Sequence, residues 1–297
     1  MPCAHPVVRV AVPGTCGELV QGTLDGEPCL ISCPIGAYSI AAVRCTAGTE
    51  WHVPTYASKT RAALHAGLTY LGQPVRGGSV HLQTTLPRGR GYGSSTADIG
   101  ATLYALGQAV GRHFTPAEVG QLAVDIEPSD SSLFPGLALW DHRHGRLYEA
   151  LGLPPALSIV VLDPGGVVDT LAFNQRDYRA LLQRLAPQHR EAFALIRDGL
   201  QQGNLAAIGA AATLSATTHQ ALLFNPFLTA VLTFAQEVKA LGVCRAHSGT
   251  LLGLLLDPTA VDIATITAHA VQRFAPALRV FSRSIVSGGG QILSTTE

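Results

Sequence analysis

The sequence predicts an α+β fold, on three observations. Strand-like and helical segments are mixed without the regular strand–helix–strand alternation of a parallel sheet. Apolar residues make up 47% of the 297 positions, enough for a sizeable core. A strand-like run also leads through a glycine-rich stretch straight into a long helix of small residues, which joins the two kinds of element locally.

The elements follow in order. Residues 5–12 alternate as a strand and are expected to end at Pro13-Gly14. Leu30–Cys33 and Tyr38–Val43 read as two strands split by Pro34-Ile35-Gly36. Lys59–Leu71 has helical apolar spacing, and Ser79–Thr85 alternates again. Thr96–Val110 is the small-residue helix, and Pro116–Ile126 is a second helix capped by Thr115. A break at Leu151-Gly152-Leu153-Pro154-Pro155 divides the chain into an expected 1–152 and 153–297. Beyond it, Ser158–Leu162 is a β-branched strand ending at Asp163-Pro164-Gly165-Gly166. Helices are expected at 175–186, 188–202, 204–222 and 226–241, then a loop and strand over Ala246–Leu256. A helix at 259–274, a strand at Arg279–Val286 and a turn at Gly288-Gly289-Gly290 complete the chain.

Composition narrows the function. Twenty basic residues balance twenty acidic ones, so no basic field is available for nucleic acid or an anionic membrane surface. No apolar run reaches the roughly 18 residues of a membrane span, and the N-terminus lacks the pattern of a signal peptide. The cysteines include no Cys-x-x-Cys pair, so free thiols in a reducing cytoplasm are expected. A small molecule in a pocket is the expected partner. The oligomeric state stays open, a homodimer included.

The segment Pro87-Arg88-Gly89-Arg90-Gly91-Tyr92-Gly93-Ser94-Ser95-Thr96-Ala97-Asp98 carries the chemistry. Alternating glycines let backbone N–H groups turn around an anion, and the next helix points its positive end at the same place. The spacing is not a Walker A loop, which needs Gly-Lys; the chain's lysines, Lys59 and Lys239, stand beside no such loop. A Rossmann unit, and with it an NAD-dependent oxidoreductase, lacks the third glycine and the acidic ribose ligand. A plain glycine-rich turn is the alternative reading.

Pro87-x-x-x-Gly91-Tyr92-Gly93-Ser94-Ser95-Thr96-Ala97 resembles the central ATP-binding motif of the GHMP kinases, which usually has Leu at Tyr92 and Ala at Thr96. Pro13-Gly14-Thr15-Cys16-Gly17-Glu18-Leu19-Val20-Gln21-Gly22 and Ala246-His247-Ser248-Gly249-Thr250-Leu251-Leu252-Gly253 stand where the family's outer motifs belong. The variants look most similar to the L-threonine kinase branch, which serves the side chain of cobalamin. The resemblance implies an N-terminal domain like ribosomal protein S5 domain 2, a ferredoxin-like C-terminal domain, an active site between them, and ATP with Mg²⁺. It also implies transfer to L-threonine or to a related amino alcohol such as homoserine, serine or ethanolamine. A relative that binds nucleotide without catalysis is the other class, and Glu127 with Asp130 beside an intact loop weighs against it.

Roles then fall on residues. Gly91, Gly93, Ser94, Ser95 and Thr96 are expected at the phosphates, with Ser95 and Thr96 offering hydroxyls to phosphate or metal. In Glu127-Pro128-Ser129-Asp130, analogy with the family gives Glu127 to Mg²⁺ and Asp130 to the acceptor hydroxyl, as base or positioner. A cap of the next segment is the bland role for Asp130. Arg88 and Arg90 are γ-phosphate ligands or solvated loop residues, and Asp98 is a dipole partner or an ammonium ligand. Thr15 replaces a lysine frequent in the family, so no lysine–phosphate contact carries over there. Glu18 is a ligand for a substrate amino group or a turn residue; Ser248 and Gly249 approach the substrate. His247 reads as packed or surface, Asp141–Gly145 as a turn, and Thr213–Gln220 as pocket lining or a packed helix.

Overall fold

A computed structural model describes residues 6–72, 77–166 and 178–296. Cys3, the first residue of the expected 5–12 strand and the start of the expected 175–186 helix lie outside them.

Among the described residues, eleven strands share one curled sheet. They are β1 (Val7–Leu24), β2 (Glu27–Cys45), β3 (Trp51–His52), β4 (Gly78–Thr84), β5 (Leu137–Asp141), β6 (Tyr148–Gly152), β7 (Ser158–Asp163), β8 (Gly242–Arg245), β9 (Leu252–Leu256), β10 (Arg279–Ser284) and β11 (Gln291–Thr296). The helices are α1 (Ser58–Leu71), α2 (Ser94–Ala109), α3 (Pro116–Ile126), α4 (Arg179–Gln202), α5 (Leu205–Thr218), α6 (Leu228–Glu237) and α7 (Ile263–Phe274). The main path runs β10-β7-β9-β8-β1-β2-β4-β3, with β11 returning to β1 and the β5–β6 hairpin attached to β2.

β1 and β2 correct the sequence reading. Pro13-Gly14 does not end a strand, and Pro34 does not split one. The two form one long antiparallel pair whose register shifts between Pro13 and Thr15, Thr15 and Glu18, and Glu18 and Val20. Bulges let the strand bend around residues that cannot serve a regular ladder. The bend brings Glu18 opposite Arg245, the pairing through which β8 meets β1.

Helix α4 corrects the reading again. It runs through Pro187, where the sequence suggests a break. Pro187 lies on the exposed face, where water can take the carbonyl that its missing N–H leaves unbonded. Helix α3 starts as expected, with Glu118 N–H donating to Thr115 Oγ1 at 3.3 Å and Thr115 N–H to Glu118 Oε2 at 2.8 Å. Helix α7 starts later than residue 259, because Asp262 accepts from Ala264 and Thr265 and caps it. The glycine run at 288–290 leads into β11 instead of closing the chain.

The apolar pattern explains the layers. Strand β7 is buried on both faces: Ile159 and Val161 join a core with Phe193, Ile196 and Ile208, while Val160 and Leu162 join a second core with Phe234 and Phe274. Helix α2, whose N-cap is Gly93, contributes Ile99 and Leu103 to the first of these cores, which also holds Phe134. Burying each such side chain contributes about 1.5–3 kcal/mol. The described cysteines (Cys16, Cys29, Cys33, Cys45 and Cys244) are free thiols.

Candidate active site

The glycine loop sits between the two outer motifs. From one side Thr15 N–H donates to the Tyr92 carbonyl at 2.9 Å and Gly17 N–H to the Gly91 carbonyl at 3.0 Å. From the other, the N–H groups of Thr250 and Leu251 donate to the Arg90 carbonyl at 3.0 and 3.2 Å. The contact is close enough to require glycine. A Cβ on Gly91 would stand 2.1 Å from Ala246 Cβ, and one on Gly249 would stand 2.3 Å from the Arg90 carbonyl oxygen. Three segments distant in the sequence are thereby locked into one wall.

That wall faces a cavity of about 530 Å³. Gly91, Gly93, Ser94, Ser95 and Thr96 line it, as do Glu18, Glu127, Asp130 and Ser248. Gly249 is not among the lining residues; it packs beneath the loop, against Arg90 and Gly91. Gly93 takes a left-handed φ of 61° as the N-cap of α2, so the first-turn N–H groups open toward the cavity. Its missing side chain matters equally: a Cβ would lie 2.7 Å from Asp130 Oδ2.

The acids differ in environment. Asp130 follows α3 and is held by its own N–H, which donates to Thr96 Oγ1 at 3.1 Å. Burial, then the charge of Glu18, pushes its carboxyl up to about 7. Glu18 is buried and accepts from the His247 backbone N–H at 2.9 Å, with His247 Nδ1 also at 2.9 Å. Burial lifts its carboxyl to about 8. His247 Nε2 meets Ser215 Oγ at 3.2 Å, so α5 supports Glu18 through the imidazole. His247 is a packed residue, and Thr213–Gln220 contributes this support without lining the cavity.

Glu127 ends α3 and receives Lys59 Nζ on Oε2 at 2.6 Å. Its other oxygen, Oε1, is buried and has no hydrogen-bond partner among the described residues. An uncompensated carboxylate oxygen, with the Ser95 hydroxyl lining the same cavity, fits the donor set of a hard divalent cation.

Several expectations are redirected. Asp98 lies beyond the first turn of α2 and does not line the cavity; Ser39 Oγ donates to its Oδ1 at 2.6 Å and Arg88 reaches its Oδ2 at 3.5 Å. It anchors Arg88, and neither the dipole role nor the ammonium role describes it. Arg90 is engaged with Asp163 at 3.1 Å, and Tyr92 Oη donates to the same oxygen at 3.0 Å. The tyrosine in place of leucine thus ties the loop to β7. Lys59, set aside in the sequence because it adjoins no Gly-Lys loop, lines the cavity, as do His142 and Arg143 from the turn after β5. The one signal for Lys59 is its rarity as a cation in an arginine-rich chain; for the other two there is none, because the β2–β5 pairing that places them is non-local.

The GHMP kinases N terminal domain matches residues 56–134. The L-threonine kinase of Salmonella typhimurium is 32% identical over 264 residues, covering 88% of this chain and 87% of that protein. The chain belongs to the GHMP kinases. An L-threonine kinase of Citrobacter freundii is 33% identical over 255 residues, covering 84% of this chain and 87% of that one. A homoserine kinase structure from Cytophaga hutchinsonii covers 97% of each chain at a TM-score of 0.76 and 16% identity, which gives the fold. This GHMP kinase is therefore a phosphotransferase of that fold, and among the described residues no helix is long and apolar enough to cross a membrane.

Proposed function

We infer that this kinase uses ATP and Mg²⁺ to phosphorylate the hydroxyl of L-threonine, giving O-phospho-L-threonine and ADP. The observation that carries the reading is that Glu18 and Asp130 face the same cavity as the glycine loop. A phosphate cradle, a group for a hydroxyl and a second acid for an ammonium together describe an amino-alcohol kinase.

The residues divide the work. The N–H groups at the start of α2, with Ser94 and Ser95, hold the phosphate chain. The acceptor oxygen attacks the γ-phosphorus, the bond to the β–γ bridging oxygen breaks, and ADP leaves with that electron pair. Asp130 holds or takes the hydroxyl proton, and a carboxyl pushed up to about 7 suits that task. Glu18 binds the ammonium, while Arg143 on the cavity wall meets the carboxylate. Glu127 and Ser95 would hold Mg²⁺, which when bound neutralises phosphate charge.

Homoserine, serine and ethanolamine are the competing acceptors, since a methyl group alters selectivity only modestly. The likeness to L-threonine kinases supports reading it as a cytoplasmic enzyme that serves the cobalamin side chain. The test is a panel of these four alcohols with ATP, read by phosphorus NMR. L-Threonine should give the highest kcat/KM; phosphate transfer to none of them would overturn the reading.

A further inference from the structure

We propose that Lys59 is a phosphate ligand stored on Glu127: its ammonium holds the carboxylate in the free protein and passes to the nucleotide's phosphates when Glu127 takes a divalent cation. This rests on the kinase reading above and adds a residue to it.

Four observations carry the proposal. Lys59 and Glu127 line the same cavity as the glycine loop, and their 2.6 Å contact lies at its wall. Lys59 is the second residue of α1, at the positive end of the helix dipole, so its placement does not serve the helix. The pair is also incomplete, because Glu127 Oε1 is buried with no partner among the described residues while Oε2 takes the ammonium. A finished structural ion pair would satisfy both oxygens.

The fourth observation concerns the cations of the glycine loop itself. Arg88 is tethered to Asp98 Oδ2 at 3.5 Å and to the Tyr56 carbonyl at 3.4 Å, and Arg90 to Asp163. Thr15 stands where a lysine would extend from the first motif, and its hydroxyl donates to the Gly91 carbonyl at 3.2 Å. Lys59, a compact charge on a flexible stem, can exchange one oxygen anion for another without moving the backbone. A cation on Glu127 would repel the ammonium at this distance, and the phosphates are the anions that would receive it.

The test uses full-length wild type, Lys59→Met and Lys59→Arg. Calorimetry measures ATP binding with and without Mg²⁺, and Mn²⁺ binding without nucleotide; thermal unfolding checks that each variant is folded. Lys59→Met should bind ATP about tenfold more weakly, the size of one charge-assisted hydrogen bond. The same variant should bind Mn²⁺ alone more tightly, because Glu127 no longer has a competing cation. Lys59→Arg should keep ATP affinity within about threefold, since the charge remains. Unchanged ATP affinity in Lys59→Met, or ATP and Mn²⁺ affinities that fall together, would overturn the proposal. If wild type binds ATP and transfers phosphate while Lys59→Met matches it, only this inference falls. A wild type that fails to bind ATP removes the kinase reading as well.

Discussion

Asp130 is fixed by Thr96, whose hydroxyl oxygen accepts the Asp130 backbone N–H at 3.1 Å. The bond joins the end of α3 to the first turn of α2, so the acid and the phosphate cradle share one rigid frame. The family's usual alanine at position 96 would offer no such oxygen.

Asp130 therefore sits where function and stability oppose each other. Its carboxyl is raised by burial from 3.8 to about 7, so it favours the fold below pH 4 and that contribution is lost as pH rises through 7. Asp130→Asn should cut kcat at least about 100-fold with ATP affinity nearly unchanged. At pH 8 the same variant should unfold a few degrees higher than wild type, and at pH 4 the difference should vanish. Steady-state kinetics and thermal scans at the two pH values check both halves.

The pH profile follows from the same acids. Asp130 must be deprotonated to take a proton, and Glu18 to bind an ammonium, so kcat/KM should climb with pH through about 7 to 8. Glu18 raises the Asp130 carboxyl through its charge. Glu18→Gln should accordingly move the acid limb of kcat to lower pH while raising KM for the amino alcohol and sparing KM for ATP.

Gly93→Val places a side chain where Asp130 Oδ2 would be 2.7 Å and Thr15 Oγ1 3.0 Å from its Cβ, at a φ of 61° that L side chains rarely adopt. Nucleotide binding should be lost by calorimetry. Both the occlusion of the cradle and the strained backbone predict this.

Tyr92→Phe removes the bond from Tyr92 Oη to Asp163 but leaves Arg90 on the same carboxylate. Stability should fall by about 1–2 kcal/mol in denaturant titration. ATP affinity should weaken modestly, because the loop loses one tie to β7.

Much of this frame was readable in the residues. The small-residue helix α2, the capping box of α3 and the apolar run of β7 carry their own local signals, and the structure has all three. The glycine loop was readable because its chemistry is local. Pro13-Gly14 and Pro34 misled because the bulged β1–β2 pairing overrides a local rule, and Pro187 because its exposure to solvent in α4 does. Strand β8 has only four residues and gains its meaning from pairing with β9 and with Glu18. Lys59 and Arg143 reach the cavity through contacts that no spacing encodes.

The most direct test of the account is a crystal structure of the protein with a nonhydrolysable ATP analogue, Mg²⁺ and L-threonine. The account predicts the triphosphate on the N–H groups of residues 93–96, the threonine hydroxyl within hydrogen-bonding distance of Asp130 and its ammonium beside Glu18. A triphosphate bound away from the start of α2, or a threonine hydroxyl directed away from Asp130, would contradict it.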